Sequence, residues 1–233
     1  MIDSDLRARL ADVRARIARA AGRARRDPSS IRLVAVSKTF SADHVRTAAD
    51  LGQIDYGENK VQEALQKMDQ TADLPLRWHL VGHLQSNKAK KAGRFDVIHS
   101  VDAAALVVKL DEAARIAARH IDLLAQVDLA GEVTKHGAQE NELAGIFEAA
   151  NRASNVRLVG LMLLPPAVDD PDAARPYFRR LCDVRRRLLA QGIDASSLQE
   201  LSMGMSQDFE AAIEEGATIV RVGTAIFGGR TYR

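Results

Sequence analysis

Short apolar runs alternate with amphipathic stretches along most of the chain. The runs predict eight strands, near residues 31–37, 53–56, 77–82, 96–100, 121–127, 156–163, 198–201 and 218–222. Between them, apolar residues recur at the spacing of a helix face, over residues 42–52, 58–69, 87–92, 103–119, 139–150, 172–191 and 207–215. This alternation predicts an α/β protein with a closed (β/α)8 barrel, with a doubly wound open sheet as the competing arrangement.

An additional helix is predicted before the first strand, over residues 3–26. Its apolar face carries Leu6, Leu10, Val13, Ile17 and Ala20, and its arginines lie largely off that face, where solvent is their default environment. Residues 27–30 form a turn that separates it from the barrel. We expect one domain that covers residues 1–233 and has this helix at its N-terminus.

The first strand ends on Lys38, which Ser37 separates from the apolar residues 33–36. Burial disfavours the charged form of a lysine, and a neutral amine can attack a carbonyl group to form a Schiff base. The alternative is a lysine that reaches solvent or pairs with a carboxylate. The strand alone leaves both interpretations open.

Composition excludes several classes of function. The chain has 33 basic and 31 acidic residues and only 4% aromatic residues, so nucleic-acid binding is not expected. No apolar run is long enough to cross a membrane, and the N-terminus lacks the apolar core of a signal peptide. The single cysteine, Cys182, cannot form an internal disulfide, which fits a reducing compartment, and we expect a cytoplasmic protein.

Small and hydroxyl-bearing residues follow the last two predicted strands. Barrels of this type often bind phosphate in these loops, and Ser206, Gly223 and Thr224 fit that role. Helix capping and turn formation are the alternative explanation. Arg221 interrupts the apolar residues of the eighth strand, and its partner is either a structural carboxylate, such as Glu200, or a ligand acceptor, such as a pyridine nitrogen.

Helix boundaries and histidines give weaker signals. Ser41, Asp102 and Ser206 are predicted to begin helices. Glycines are predicted to end them at positions 52, 93, 192 and 216. His79 and His83 would share one face of a strand, but no third ligand stands at a convincing spacing, so no metal site is expected. The polar loop over residues 128–137 is either a lid over the barrel or an idle surface loop.

The motifs together resemble those of the pyridoxal phosphate homeostasis protein family over nearly the whole chain. The resemblance is carried by Ala35-Val36-Ser37-Lys38, Gly57-Glu58-Asn59, residues 61–63, 82–88, 160–162 and 201–206, and the C-terminal segment 221–228. It implies a barrel like the N-terminal domain of alanine racemase.

The resemblance also implies the chemistry of a cofactor site. It implies that Lys38 holds pyridoxal 5′-phosphate (PLP) covalently, as an internal aldimine, and that Arg221 faces the pyridine nitrogen. It further implies that Ser206, Gly223 and Thr224 bind the phosphate, and that Asn59 lines the pocket. Two residues depart from the family pattern: Asp128 stands where members often have asparagine, and Lys60 stands where some members have tyrosine.

A carrier is favoured over an enzyme for two reasons. An arginine opposite the pyridine nitrogen opposes its protonation and so weakens the cofactor as an electron sink. Racemisation also needs a second base, and of the tyrosines at positions 56, 177 and 232 only Tyr56 lies near a strand end. The alternatives are a weak PLP-dependent amino-acid racemase and an aldolase-type barrel that uses Lys38 on a sugar phosphate.

The expected partners follow from the carrier function. PLP-dependent apoenzymes would receive the cofactor, and the protein would be a monomer or a weak homodimer. Lys88 and Lys135 are possible secondary acceptors for the cofactor on loops at the barrel mouth, although solvated surface lysines are the default interpretation.

Overall fold

A closed barrel of eight parallel strands forms the centre of the computed structural model, which describes residues 2–131 and 136–229. The strands follow one another around the barrel in chain order, and β1 pairs with both β2 and β8. The strands are β1 (Arg32–Val36), β2 (Asp55–Glu58), β3 (Arg77–Leu80), β4 (Val97–Val101), β5 (Ile121–Gln126), β6 (Val156–Met162), β7 (Glu200–Ser202) and β8 (Ile219–Val222). The predicted (β/α)8 barrel is confirmed.

Helices connect the strands and surround the barrel. The α-helices are α1 (Ile2–Arg23), α2 (Ala42–Asp50), α3 (Val61–Gln70), α4 (Ala104–Ile116), α5 (Leu143–Arg152), α6 (Arg175–Ala190), α7 (Phe209–Glu214) and α8 (Thr224–Phe227). Short 3-10 helices cover Pro28–Ser30, Ser86–Arg94, Glu140–Glu142, Pro171–Ala174 and Ala195–Leu198. No helix in these described ranges is long and apolar enough to cross a membrane.

Helix α1 is the predicted additional helix, and the five apolar residues of its predicted face are all buried. It packs against α7 and α8, so it lies beside the last elements of the barrel. Arg16 forms an ion pair of 2.8 Å with Glu210 of α7, and Arg9 Nε donates a hydrogen bond of 2.8 Å to the Ile226 carbonyl of α8. These two arginines, expected to be solvated, therefore help to attach α1 to the end of the chain.

Most predicted element boundaries differ from the structure by a few residues, and three of the differences have a local explanation or change the type of element. Strand β2 begins two residues later than predicted, because the Gln53 amide donates to the carbonyls of Leu33 and Asp55. The predicted strand over 198–201 begins at Glu200, since a 3-10 helix occupies Ala195–Leu198. The Asp194 carboxylate caps that helix by accepting a hydrogen bond from Ser196 N. The predicted basic helix over 87–92 is a 3-10 helix rather than an α-helix.

The predicted caps are confirmed at the glycines more often than at the helix starts. Gly52, Gly192 and Gly216 have positive φ angles after α2, α6 and α7, a conformation that glycine adopts without strain. Ser41 stands at the start of α2, but its hydroxyl hydrogen-bonds His44 rather than the helix backbone. Ala103 and Asp208 occupy the N-cap positions of α4 and α7, so the prediction that Asp102 and Ser206 cap these helices was wrong.

Two apolar layers hold the barrel together. The larger lies between the strands and the surrounding helices. The smaller comprises buried strand residues, Val34, Val97, Leu124, Met162 and Ile219, that form a separate cluster. Parallel barrels are packed with side chains in this way, which leaves the carboxyl ends of the strands as the place for a site.

Candidate functional site

Lys38 lies in the turn that follows β1 and is half-buried. Ser37 N donates to the Gly57 carbonyl at 3.0 Å, which extends the β1–β2 pairing up to the lysine. The next residue, Thr39, has a φ of 71°, and its N–H donates to the Glu63 carboxylate at 2.6 Å. A β-branched residue at positive φ is strained, and such strain often accompanies a functional site.

A buried ionic cluster lies beside this turn, and the sequence reasoning missed it. Lys67 of α3 is only 5% exposed, and its ammonium donates to the Ser37 carbonyl at 2.8 Å and to Glu58 Oε1 at 2.6 Å. It also lies 2.9 Å from Glu63 Oε1. Ser37 Oγ donates to the same Glu58 oxygen. The available signal was the Glu63–Lys67 spacing of four residues along one helix.

Burial raises the pKa of the Glu58 carboxyl, although Lys67 and Ser37 favour its charged form. The second oxygen of this carboxyl, Oε2, has no hydrogen-bond partner among the described residues. The cluster nevertheless holds the backbone of Ser37, and therefore the position from which the Lys38 side chain leaves the strand.

The loops after β7 and β8 meet at Ser206. Its hydroxyl oxygen accepts hydrogen bonds from Gly223 N at 3.1 Å and Ala225 N at 3.3 Å. A Cβ on Gly223 would approach the Val36 carbonyl to 3.2 Å, so this loop also packs against the end of β1. Thr224 is exposed beside it. The predicted residues Ser206, Gly223 and Thr224 are thus brought together next to the strand that ends on Lys38.

Arg221 is buried in the barrel interior, with 3% of its surface exposed. It donates to Ser202 Oγ at 2.6 Å and to the Leu163 carbonyl at 2.8 Å. Burial lowers its pKa to about 10, and the nearby Asp208 opposes that effect, so the side chain remains a cation at neutral pH. Register places Arg221 opposite Val34 of β1, four residues before Lys38.

The sequence offered Glu200 as the structural partner of Arg221, and that alternative was wrong. Glu200 accepts a hydrogen bond of 2.5 Å from the Thr218 hydroxyl and lies 3.5 Å from Arg32. Strand β7 places it at the amino end of the barrel, whereas Ser202 is the β7 residue that contacts Arg221.

Asn59 follows β2 and is half-buried, next in the chain to Glu58. The neighbouring loop fixes its backbone: a Cβ on Gly82 would lie 2.3 Å from the Asn59 carbonyl oxygen. Only a glycine allows this approach, so the ends of β2 and β3 are in direct contact.

The predicted face shared by His79 and His83 was wrong, because β3 ends at Leu80. His79 is fully buried inside the barrel. His83 is exposed, lies 3.5 Å from Asp102 Oδ2 and stacks on His136 with ring centroids 3.5 Å apart. The ligand atoms of His83, Asp102 and His136 all lie within 4.8 Å of one another, so Asp102 is a third candidate ligand that spacing along the sequence did not reveal. That this chain lacks a metal site stays a prediction.

The two tyrosines with described positions that were considered as a second base both belong to the outer apolar layer. Tyr56 is fully buried, and its hydroxyl donates to the Val45 carbonyl of α2 at 2.9 Å. Burial raises its pKa far above neutrality, so Tyr56 is a structural residue. Tyr177 belongs to α6 and packs, partly buried, against the outer apolar layer. Tyr232 lies outside the described residues.

Comparison with known proteins agrees with this geometry. Residues 9–231 match the sequence family described as the N-terminal domain of alanine racemase. The pyridoxal phosphate homeostasis protein of Aquifex aeolicus is 43% identical over 225 residues, which are 96% of this chain and 98% of that protein. Its counterpart from Pseudomonas aeruginosa is 44% identical over 224 residues, 96% and 95% of the two chains. This chain belongs to the pyridoxal phosphate homeostasis protein family.

A solved structure of the family shares the same barrel. PipY from Synechococcus elongatus, with PLP bound, superposes with a TM-score of 0.83 at 39% identity, covering 96% of this chain and all of PipY. Alanine racemase from Corynebacterium glutamicum superposes with a TM-score of 0.69 at 19% identity, over 98% of this chain and 61% of the racemase. The racemase-type barrel implied by the motifs is therefore confirmed.

Two departures from the family pattern have different surroundings. Asp128 Oδ1 accepts from Ala130 N and Gly131 N at 3.1 and 3.0 Å, so its carboxylate organises the loop after β5. Lys60 is exposed at the start of α3.

Of the two lysines considered as secondary acceptors, Lys88 is exposed, on the 3-10 helix Ser86–Arg94. Lys135 lies outside the described residues.

Proposed function

We propose that this chain is a single PLP-binding barrel domain over residues 1–233 that serves PLP homeostasis inside the cell. It holds the cofactor on Lys38 as a Schiff base for storage, buffering or delivery, without strong catalytic activity of its own. Two of its relatives carry that name, and PipY has PLP bound. The observation that carries the proposal is the β1–β8 pairing, which brings the lysine strand beside the Ser206–Gly223 contact and the buried Arg221.

The residues fit the functional groups of PLP one by one. The cofactor supplies an aldehyde, a phosphate and a pyridine nitrogen. Lys38 is the amine for the aldehyde. The Ser206 hydroxyl, which the N–H groups of Gly223 and Ala225 hold in place, and the Thr224 hydroxyl supply donors for the phosphate. Gly223 lines the same site and has no side chain to obstruct it.

Arg221 is the residue for the pyridine nitrogen, and Asn59 lines the pocket from the end of β2. A guanidinium remains charged at neutral pH, so it can donate to an unprotonated nitrogen and disfavours the protonated form. An unprotonated ring is a weak acceptor of electrons from a substrate carbanion. This arrangement favours holding the cofactor over turnover.

The positions of the tyrosines favour the same conclusion. Tyr56 donates its hydroxyl proton to a helix carbonyl, and Tyr177 packs on the outer layer, so neither is available as a second base. We expect racemisation of amino acids by the wild-type protein to remain at the level of Lys38→Ala. Turnover well above that background would establish the alternative, a PLP-dependent racemase of low activity.

Visible absorbance of the purified protein tests the cofactor assignment. We expect wild type to show a band that Lys38→Ala lacks, and borohydride reduction followed by peptide mass spectrometry should locate the cofactor on Lys38. Lys60→Ala is the matched control, because Lys60 is exposed at the same end of the barrel. It should retain the band.

Failure to form a band after PLP is added would refute the proposal and return Lys38 to an aldolase-type role or a structural one. Reduction onto Lys60 or Lys88 would refute the assignment of Lys38 alone.

Delivery to apoenzymes is the finer part of the proposal. Loaded wild-type protein, freed of unbound PLP, should restore activity to a PLP-dependent apoenzyme across a short incubation. Borohydride-reduced protein, in which the cofactor cannot leave, should not. We further propose that the carrier is a monomer or a weak homodimer, which sedimentation over a range of concentrations will distinguish from a tight oligomer.

A further inference from the structure

A row of buried polar side chains crosses the barrel interior behind Arg221. Arg221 Nη1 lies 2.6 Å from Ser202 Oγ, and that oxygen lies 2.8 Å from His99 Nδ1. His99 Nε2 lies 2.9 Å from His79 Nδ1, and His79 Nε2 lies 2.8 Å from Asp55 Oδ1. The row therefore begins at the proposed cofactor cation and ends at the first residue of β2, at the amino end of that strand.

The protonation states along the row follow from burial. His79, His99 and Ser202 are fully buried. Desolvation lowers the pKa of both histidines, and that of His99 falls well below the ordinary value, so both rings are neutral at pH 7.

Asp55 carries the charge at the far end of the row. Burial acts to raise its pKa, but the hydrogen bond from His79 and the charges of Arg77 and Arg32 oppose that effect, and the pKa lies below its usual value. Asp55 is therefore an ionised acceptor, and Arg77 lies 3.8 Å from the same oxygen.

These states fix the direction of every hydrogen bond. Because the Asp55 carboxylate only accepts, His79 must donate from Nε2 and accept at Nδ1. His99 must then donate from Nε2 to His79 and accept at Nδ1, so the Ser202 hydroxyl donates to His99. Ser202 accepts from Arg221, which only donates. All four bonds are donated toward Asp55, with no conflict of donors or acceptors.

We propose that Asp55 is the remote counter-ion of Arg221, and that the row through Ser202, His99 and His79 positions the guanidinium and moderates its charge at the cofactor ring. This inference rests on the proposed function. Aligned hydrogen bonds polarise one another in a medium of low dielectric constant, so the carboxylate acts on the cation through three neutral groups. These four residues are positioning residues, since none of them is placed against the cofactor.

A purely structural role would leave a different signature. If the row only satisfied buried polar groups, a change of charge at Asp55 would alter stability without altering the bound cofactor. If the row acts on Arg221, the same change alters the affinity for PLP and the visible absorption maximum, and the effect requires Ser202.

The first test needs no cofactor. Long-range 1H–15N correlation spectra of the apo protein should show His79 and His99 as neutral rings protonated at Nε2 across pH 6–8. A ring protonated at Nδ1, or a doubly protonated ring, would overturn the assigned directions. Because PLP is absent, this result is independent of whether the proposed function is correct.

The second test is a double-mutant cycle on PLP binding. Asp55→Asn keeps an acceptor oxygen and removes the charge, and we expect it to change the affinity for PLP about fivefold and to shift the absorption maximum. Asp122→Asn is the matched control, because Asp122 lies at the same end of the barrel, on β5, and pairs with the exposed Arg157 outside the row. It should behave as wild type.

Ser202→Ala interrupts the row beside Arg221, so Asp55→Asn should have no further effect on affinity or absorbance in that background. Equal effects of Asp55→Asn with and without Ser202, or a response identical to that of Asp122→Asn, would refute transmission along the row. If Asp55→Asn does not fold, His79→Gln is tested in its place. If wild type does not bind PLP, the proposed function is refuted. The histidine spectra of the apo protein then still test the assigned directions of the hydrogen bonds.

Discussion

Lys67, at 5% exposure, is a more deeply buried lysine than Lys38. Its ammonium joins Glu58, Glu63 and the backbone of Ser37, so one cation satisfies groups from α3, β2 and the end of β1. A buried pair of this kind contributes little to net stability while it is intact, but the loss of one partner leaves a desolvated charge. The cluster thus makes the turn that holds Lys38 sensitive to one residue of a helix.

Lys67→Met should lower the free energy of unfolding by about 3 kcal/mol at neutral pH, because Glu58 is left buried without its cation. Without Lys67, the Glu58 carboxyl keeps its proton to a higher pH in the folded than in the unfolded chain. The folded state then binds more protons between those two pKa values, so stability falls further as pH rises through that window.

Urea denaturation at pH 5 and pH 8 measures this difference between Lys67→Met and wild type. Lys60→Met, at the exposed N-cap of the same helix, is the control and should lose little stability at either pH. A deficit that shrinks with rising pH would contradict the assigned role of Glu58.

Among the elements, the loops after β2 and β3 are coupled through Gly82. The close approach of this residue to the Asn59 carbonyl is between backbones, which have little freedom to move apart. The position of Asn59 therefore depends on a residue of the neighbouring loop.

Gly82→Ala should destabilise the protein by about 2 kcal/mol through overpacking, and it should also weaken PLP binding by displacing Asn59. Gly145→Ala is the matched control, because a Cβ on Gly145 in α5 meets nothing within 4 Å. That substitution should stabilise the helix by about 0.5 kcal/mol. Thermal melts and PLP titrations of the two variants measure these effects. If Gly82→Ala bound PLP as wild type does, the position of Asn59 would not depend on Gly82.

Helix α1 supports the phosphate side of the proposed site from outside the barrel. Arg9 Nε donates to the carbonyl of Ile226, which belongs to the short helix that begins at Thr224. An unsupported helix of four residues is not stable by itself, so its position depends on such contacts.

Arg9→Met should therefore cost about 1 kcal/mol of stability and reduce the affinity for PLP by a small factor. Arg7→Met, on the exposed side of the same helix, should change neither quantity. Denaturation and cofactor titration measure both effects, and equal behaviour of the two variants would argue against support of α8 by α1.

For the whole molecule, apolar periodicity was sufficient to predict the barrel, because the spacing of apolar residues within each short segment indicates whether it is a strand or a helix. Lys38, Ser206, Gly223 and Arg221 could be singled out because they are unusual residues at the ends of predicted strands. The Lys67 cluster and the His79–His99 row could not, since their contacts depend on the register of strands and on the rotation of α3. Glu200 illustrates the same limit: two residues along β7 separate the amino end of the barrel from the side chain that contacts Arg221.

The pairing of β1 with β8 also has a consequence for biosynthesis. Val34 and Arg221 pair across this joint, although 187 positions of the sequence separate them. A contact of such long range forms late, and on the ribosome the eighth strand emerges after the other seven. A nascent chain with only the first seven strands has the lysine but neither Arg221 nor the residues Gly223 and Thr224 of the proposed phosphate site. Capture of the cofactor would then belong to the finished barrel, and the reactive aldehyde would be withheld from partly synthesised chains.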